Sequence, residues 1–128
     1  MFRTLVVDDH VGFRAGVRSV LESEFPDIQV EEAGDGSEAL DKIARFRTDL
    51  VLMDIKLPGD NGIQVTRVIK ATYDGVAVVI LTGFDLPQYR QAAFRNGADC
   101  YLYKGSATCM TDVLARVEGA MQARKAAS

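Results

Sequence analysis

At 128 residues, 48% of them hydrophobic and 26% charged, the chain suffices for one domain that folds on its own core without staples. Its net charge of −3 offers no broad basic surface for nucleic acid. No window approaches the ~20 apolar residues of a bilayer span, residues 1–25 carry charge throughout, and Cys100 and Cys109 lack Cys/His company, so membrane, signal-peptide and zinc readings fall away.

Leu5–Val7 is a short continuous apolar run, the pattern of a parallel strand covered on both faces, and it ends in Asp8-Asp9. The lone histidine, His10, is then expected to start a helix whose stripe is Phe13, Val17, Val20 and Leu21. Arg14 and Arg18 fall on its polar side and are expected to face solvent, with contact to a kinase the alternative reading. Ile28–Ala33, "IQVEEA", alternates and suits a sheet edge. Asp35-x-x-Glu38 reads as a capping box before Leu40 and Ile43.

The most apolar run, Leu50–Met53, leads straight into Asp54 and a turn rich in Pro, Gly and Asp. Asp60-Asn61-Gly62 opens a third helix bearing Val65, Val68 and Ile69. Val76–Leu81 is a fourth strand ending in Thr82-Gly83. Asp85-x-x-Gln88, with Pro87 in the first turn, starts a helix that Asn96-Gly97 closes. Ala98–Tyr103 runs into Lys104, and Met110, Val113, Leu114, Val117 and Met121 mark the last helix. Phe94 and Tyr103 are read as packing residues. Residues 1–121 form the domain, and 122–128 read as a C-terminal tail or the start of a linker.

Five strands each followed by a helix predict an α/β fold, a doubly wound (βα)5 flavodoxin-like three-layer sandwich with a parallel sheet ordered 2-1-3-4-5. In such sheets ligands bind beyond the carboxyl ends of the strands. Those ends carry Asp8, Asp9, Asp54, Thr82 and Lys104: three acids, a hydroxyl and an ammonium directed at one crevice. Any one of them alone reads more simply as a strand-end cap or a solvated charge. Together the acids would repel one another, and one lysine leaves a surplus of negative charge. A hard divalent cation, Mg²⁺, on Asp9 and Asp54 resolves it and counters the charge of an incoming phosphoryl group. Asp54 can then act as the nucleophile that forms an aspartyl phosphate, with Thr82 and Lys104 contacting its oxygens.

At this point "VVDDH", "LVLMDIKLPGDNG", "VVILTG" and "GADCYLYKG", in this order and spacing, resemble the receiver domain of two-component response regulators over nearly the whole chain. The longer "VVDDHVGFRAGVRSVLE" looks like the LuxR-type subfamily, whose receivers precede a helix-turn-helix domain. The resemblance implies Asp54 as phospho-acceptor, Asp8 and Asp9 as the acidic pair, and Lys56 as the residue whose backbone carbonyl completes metal coordination. It further implies Thr82 and Lys104 as the phosphate-sensing pair and Tyr101 as the switch aromatic that turns inward once the hydroxyl moves. The implied donor is a sensor histidine kinase or phosphotransfer protein in the cytoplasm. Homodimers on phosphorylation are compatible with the family, and DNA would be reached only through an output domain that this chain lacks. The chain is then either a stand-alone receiver or the receiver half of a longer transcription factor.

Gly105 replaces the proline that many receivers carry after the lysine. Phe84, two residues after Thr82, is expected to shield the acyl phosphate from water and slow its self-hydrolysis. Three other classes compete with a signalling switch. A Mg²⁺-dependent phosphohydrolase of the haloacid-dehalogenase type would want an acid at Lys56 and a cap domain. A flavin module would want a phosphate-cradling loop where "DDHVGF" offers acids. A phosphorylation-independent interaction module needs none of this chemistry.

Overall fold

The computed structural model describes residues 1–127. Five parallel strands, β1 (Arg3–Val7), β2 (Gln29–Ala33), β3 (Leu50–Met53), β6 (Ala77–Thr82) and β7 (Cys100–Tyr103), form one sheet in the order β2-β1-β3-β6-β7. This is the expected 2-1-3-4-5 arrangement. The two extra numbers belong to an unforeseen hairpin, β4 (Lys56–Leu57) with antiparallel β5 (Asp60–Asn61), built from the turn after Asp54.

Strand residues alternate between two cores. Leu5, Val7, Val51, Met53, Val78 and Ile80 pack against α2 (Gly36–Arg45), α3 (Gly62–Thr72) and α4 (Pro87–Arg95) through Ile43, Ile69 and Ala93. Val6, Leu50, Leu52, Val79 and Leu81 pack against α1 (Val11–Glu24) and α5 (Cys109–Ala127) through Val17, Leu21, Val113 and Val117. Burial on both faces is why the central strands read as continuous apolar runs.

Helix starts follow local chemistry. His10 caps α1, its Nδ1 accepting from the Phe13 N–H at 2.9 Å. Asp35 caps α2 by accepting from Glu38 N–H, while the Glu38 carboxylate takes the N–H of Gly34, one residue earlier than in the usual reciprocal box. Asn61 caps α3. At α4 the expectation fails. Leu86 is the cap residue and Asp85 lies outside; with Pro87 at the first helical position, one orphan donor is already missing. Gly97, at φ +100°, closes that helix as expected.

Two side-chain expectations are also corrected. Arg14 does not face solvent: its Nε meets Glu32 at 3.0 Å and its Nη1 donates to the Asp8 carbonyl, pinning α1 across the β1–β2 edge. Arg18 remains more open but also reaches Glu32, at 3.3 Å. Phe94 is not a packing residue; it lies 45% exposed. Residues 122–127, read as a tail or linker, continue α5, and Arg124 ties that stretch to Asp49 at 2.7 Å and to the Met1 carbonyl. Ser128 lies outside the described residues.

Gly62 is where backbone meets backbone. Its N–H donates to the Ile55 carbonyl at 2.6 Å, and a Cβ built on it would lie 1.9 Å from the Asp54 carbonyl oxygen. Since the obstacle is main chain, it cannot rotate away. Gly62→Ala is therefore expected to lower stability by more than about 2 kcal/mol, measured by urea unfolding. An unchanged midpoint would mean that the turn has room to relax.

Candidate functional site

The ladder places Asp8, Asp54 and Lys104 one step past a strand end, with Thr82 the last residue of β6 and Asp9 one residue beyond Asp8. Asp8 N–H bonds to Ala33 O, Asp54 N–H to Val7 O, and Lys104 N–H to Thr82 O, so β1, β3, β6 and β7 finish at one rim. Around that rim Asp8, Asp9 and Asp54 offer carboxylate oxygens that all lie within 4.8 Å of one another. Asp8 and Asp54 are buried, and Asp9 is exposed. The sequence expectation that these acids share one crevice with Thr82 and Lys104 matches this geometry.

The Lys104 ammonium bridges the acids, 2.5 Å from Asp8 Oδ2 and 3.3 Å from Asp54 Oδ2. Asp8 Oδ1 accepts from the His10 N–H, and Asp54 Oδ1 from the Ile55 N–H at 2.8 Å. Each acid thus has one oxygen fixed by backbone and the other turned to the ammonium. Thr82 is fully buried and hydrogen-bonds Asp54, and its hydroxyl oxygen also accepts the Phe84 N–H at 3.4 Å.

Burial raises the Asp54 pKa. The Lys104 charge lowers it, the Asp8 charge raises it again, and hydrogen bonds from Thr82 and Lys104 lower it; the net shift is upward. Lys104 is also shifted upward. Its own desolvation opposes this and is outweighed by Asp8 and Asp54. With three carboxylates against one ammonium the pocket keeps an anionic surplus, and its donors are all hard oxygens. That set suits Mg²⁺ better than a thiophilic metal.

Lys56 begins β4 with its side chain exposed, two residues beyond Asp54, and is not among the clustered acids. Tyr101 is 4% exposed, its hydroxyl donating to the Phe84 carbonyl at 2.6 Å and the Arg90 guanidinium lying 4.8 Å from its ring centre. The Phe84 ring tilts against Tyr89, centroids 5.3 Å apart. Gly105 follows Lys104 through a trans bond, and any side chain there would strike the Tyr103 ring, 2.4 Å away. The sequence places Phe13 on the apolar stripe of α1 and Arg14 on its polar side, and neither position alone signals a part in the site.

A family profile described as "Response regulator receiver domain" matches residues 4–116. The chain is 36% identical to "Response regulator MprA" of Mycobacterium leprae (strain TN) over 123 residues, 96% of this chain and 52% of that protein. It therefore spans about half the length of the curated relatives it matches. Among solved structures, the "response regulator receiver domain protein (CheY-like)" of Methanospirillum hungatei JF-1 superposes with a TM-score of 0.88 at 26% identity, covering 100% of this chain and 99% of that one. A "two-component response regulator, LuxR family" from Aurantimonas sp. SI85-9A1 gives 0.81 at 32% identity, covering 91% and 85%.

The raised Asp54 pKa has a stability consequence with a definite sign. Folded Asp54 holds its proton more tightly than the unfolded residue, so ionising it costs stability as the pH rises from its ordinary value of 3.8. Asp54→Asn removes that cost. The variant is expected to be more stable by about 1 kcal/mol at neutral pH, with the gain fading as the pH approaches 3.8. Thermal melts of both proteins across that range check it, and a neutral-pH loss of stability would contradict the assignment.

Proposed function

The chain belongs to the response regulator receiver family, whose members are phospho-acceptor signalling modules rather than enzymes in the usual sense, and from that premise we propose that Asp54 is its acceptor. One observation carries the reading: three carboxylates within 4.8 Å of one another with a single lysine laid between two of them. A pocket of surplus negative charge on rigid strand ends is poorly suited to stability alone. It suits a group that must receive a phosphoryl.

In the proposed step an Asp54 carboxylate oxygen attacks the phosphorus of a phosphohistidine on a sensor kinase or phosphotransfer protein. A P–O bond forms, the P–N bond breaks, and its electron pair returns to the imidazole. Because Asp54 Oδ1 is engaged by Ile55 N–H, Oδ2, on the Lys104 side, is the nucleophile. Lys104 and Thr82 then contact the new phosphoryl oxygens. Asp8, Asp9 and Asp54 would hold Mg²⁺, with the Lys56 carbonyl as a further ligand. When bound, the ion counters the charge of the phosphoryl oxygens and the acids together. Tyr101 is the switch aromatic in this reading, coupled to Thr82 through Phe84, whose N–H and C=O meet the two hydroxyls.

For output we propose transcription control through a DNA-binding domain outside this chain, with 1–121 as the receiver, residues 122–128 leading out of it, and phosphorylation favouring a homodimer. The whole would work in the cytoplasm, where the donor kinase domain is expected; no described helix is long and apolar enough to cross a membrane. The stretch "VVDDHVGFRAGVRSVLE" and the Aurantimonas structure favour a LuxR-type output. The MprA relatives, at 36–38% identity, carry no such label, so the reading goes no further than transcription.

With Mg²⁺ and acetyl phosphate, intact mass should show one phosphoryl adduct that Asp54→Asn abolishes. Multiple adducts, or none, would overturn the reading. Phe84 lies two residues past Thr82, whose hydroxyl faces Asp54 and accepts the Phe84 N–H. Phe84→Ala should therefore lose its phosphoryl severalfold faster than the parent, followed as release of inorganic phosphate. Equal rates would remove Phe84 as a shield.

A further inference from the structure

The Lys104 ammonium has a third neighbour besides its two acids. Its Nζ stands 4.2 Å from the centroid of the Phe13 ring, within the range of a cation–π contact. Phe13 comes from the first turn of α1, and that turn is fixed from two directions. The His10 ring accepts the Phe13 N–H itself, and Arg14, the next residue, is bound to Glu32 and to the Asp8 carbonyl. Helical side chains lean back toward their own N-terminus, so the ring leans toward the strand rim where Lys104 lies. Its other side rests on the core under α1 and α5.

We propose that Phe13 is a positioning residue for phosphoryl uptake at Asp54, its ring face holding the Lys104 ammonium on the Asp8 side of the pocket. This rests on the reading of Asp54 as acceptor. An ammonium has three N–H groups. Two are directed by carboxylates at 2.5 and 3.3 Å, and an aromatic face lies on a third side, its centroid 4.2 Å from the nitrogen. The aliphatic stem of a lysine leaves its head several alternative positions. With the ring present the head is held between Asp8, Asp54 and Phe13, where an oxygen newly attached to Asp54 meets it after only a small displacement. An aliphatic residue of similar volume would fill the same core but offer no negative face.

The test separates face from bulk. Full-length protein carrying mono-, di- and trifluorinated phenylalanine at position 13 keeps the ring's shape while progressively weakening its quadrupole. Phe13→Leu removes the face and Phe13→Tyr retains it. For each, the rate of adduct formation with acetyl phosphate and Mg²⁺ is read by intact mass, with urea midpoints in parallel. The expected result is a graded slowing along the fluorine series to about two- to fivefold, with Leu at least as slow, Tyr near the parent, and the midpoints of the fluorinated proteins unchanged. A flat series with normal uptake in the parent overturns the role of Phe13 and leaves Asp54 as acceptor. Absence of any adduct in the parent overturns both.

Discussion

The contact on which everything else depends is the Lys104 ammonium lying between Asp8 and Asp54, three residues from three strands that are far apart in the chain. No local rule brings them together. They meet because β1, β3, β6 and β7 are parallel and in register, so that their carboxyl ends terminate at one level. A parallel sheet requires helical crossovers on both faces. That requirement explains the two separate cores and the uniform burial of β3. The rim is thus a product of topology, and the core serves to keep it rigid. Asp54 inherits its fixed position from Met53, which is fully buried, and from the Gly62 turn pressed onto its own carbonyl.

Rigidity matters because the site stores an electrostatic conflict. Asp54 is desolvated and faces Asp8, and both effects favour its protonated form, yet a protonated carboxyl is no nucleophile. Lys104 and Thr82 oppose them without cancelling them. A solvated loop would relax by splaying the acids apart. Here the ladder bonds at Asp8, Asp54 and Lys104 forbid that relaxation, so the surplus persists until a cation or a transferred group meets it.

The sheet was legible in the sequence because burial on both faces leaves a strong signature: three short, continuous apolar runs and no polar interruption. Asp8, Asp54 and Thr82 were legible because each stands at the first polar position after such a run, Asp9 because it follows Asp8, and Lys104 because it ends the mixed run Ala98–Tyr103. What escaped notice shares a different trait. The β4–β5 hairpin has two-residue strands, too short for any periodicity. The α4 cap was misplaced by one residue because Asp85 carries the expected chemistry while Pro87 sets the actual start. Arg14 sits on what helical periodicity marks as a polar face, but its partners, Glu32 and the Asp8 carbonyl, arrive from the neighbouring strand and the strand end. Phe13 counted correctly as a core residue, and nothing in spacing could show that its other face meets an ammonium from the far end of the chain. Period reveals which side of an element is apolar. It is silent on polar partners supplied by a different element.

The unequal distances at Lys104 give the pocket its direction. Had the ammonium bonded Asp54 as closely as it bonds Asp8, it would withdraw electron density from the oxygen that attacks in the proposed transfer. At 3.3 Å from Asp54 and 2.5 Å from Asp8, it lowers the cost of ionising Asp54 while placing its shorter hydrogen bond elsewhere. Asp8 therefore acts less as a second acceptor than as the anchor that keeps the lysine nearby and incompletely committed. A phosphoryl group added to Asp54 brings new anionic oxygens to the same ammonium and to the Thr82 hydroxyl, and both can respond by small displacements. Phe84 is bonded to Thr82 through its N–H and to Tyr101 through its carbonyl, and in the proposed switch this is the path from that hydroxyl to the β7 edge of the sheet. The charge conflict at the rim and the packing of Tyr101 are in this sense one coupled arrangement, joined by a single residue's backbone.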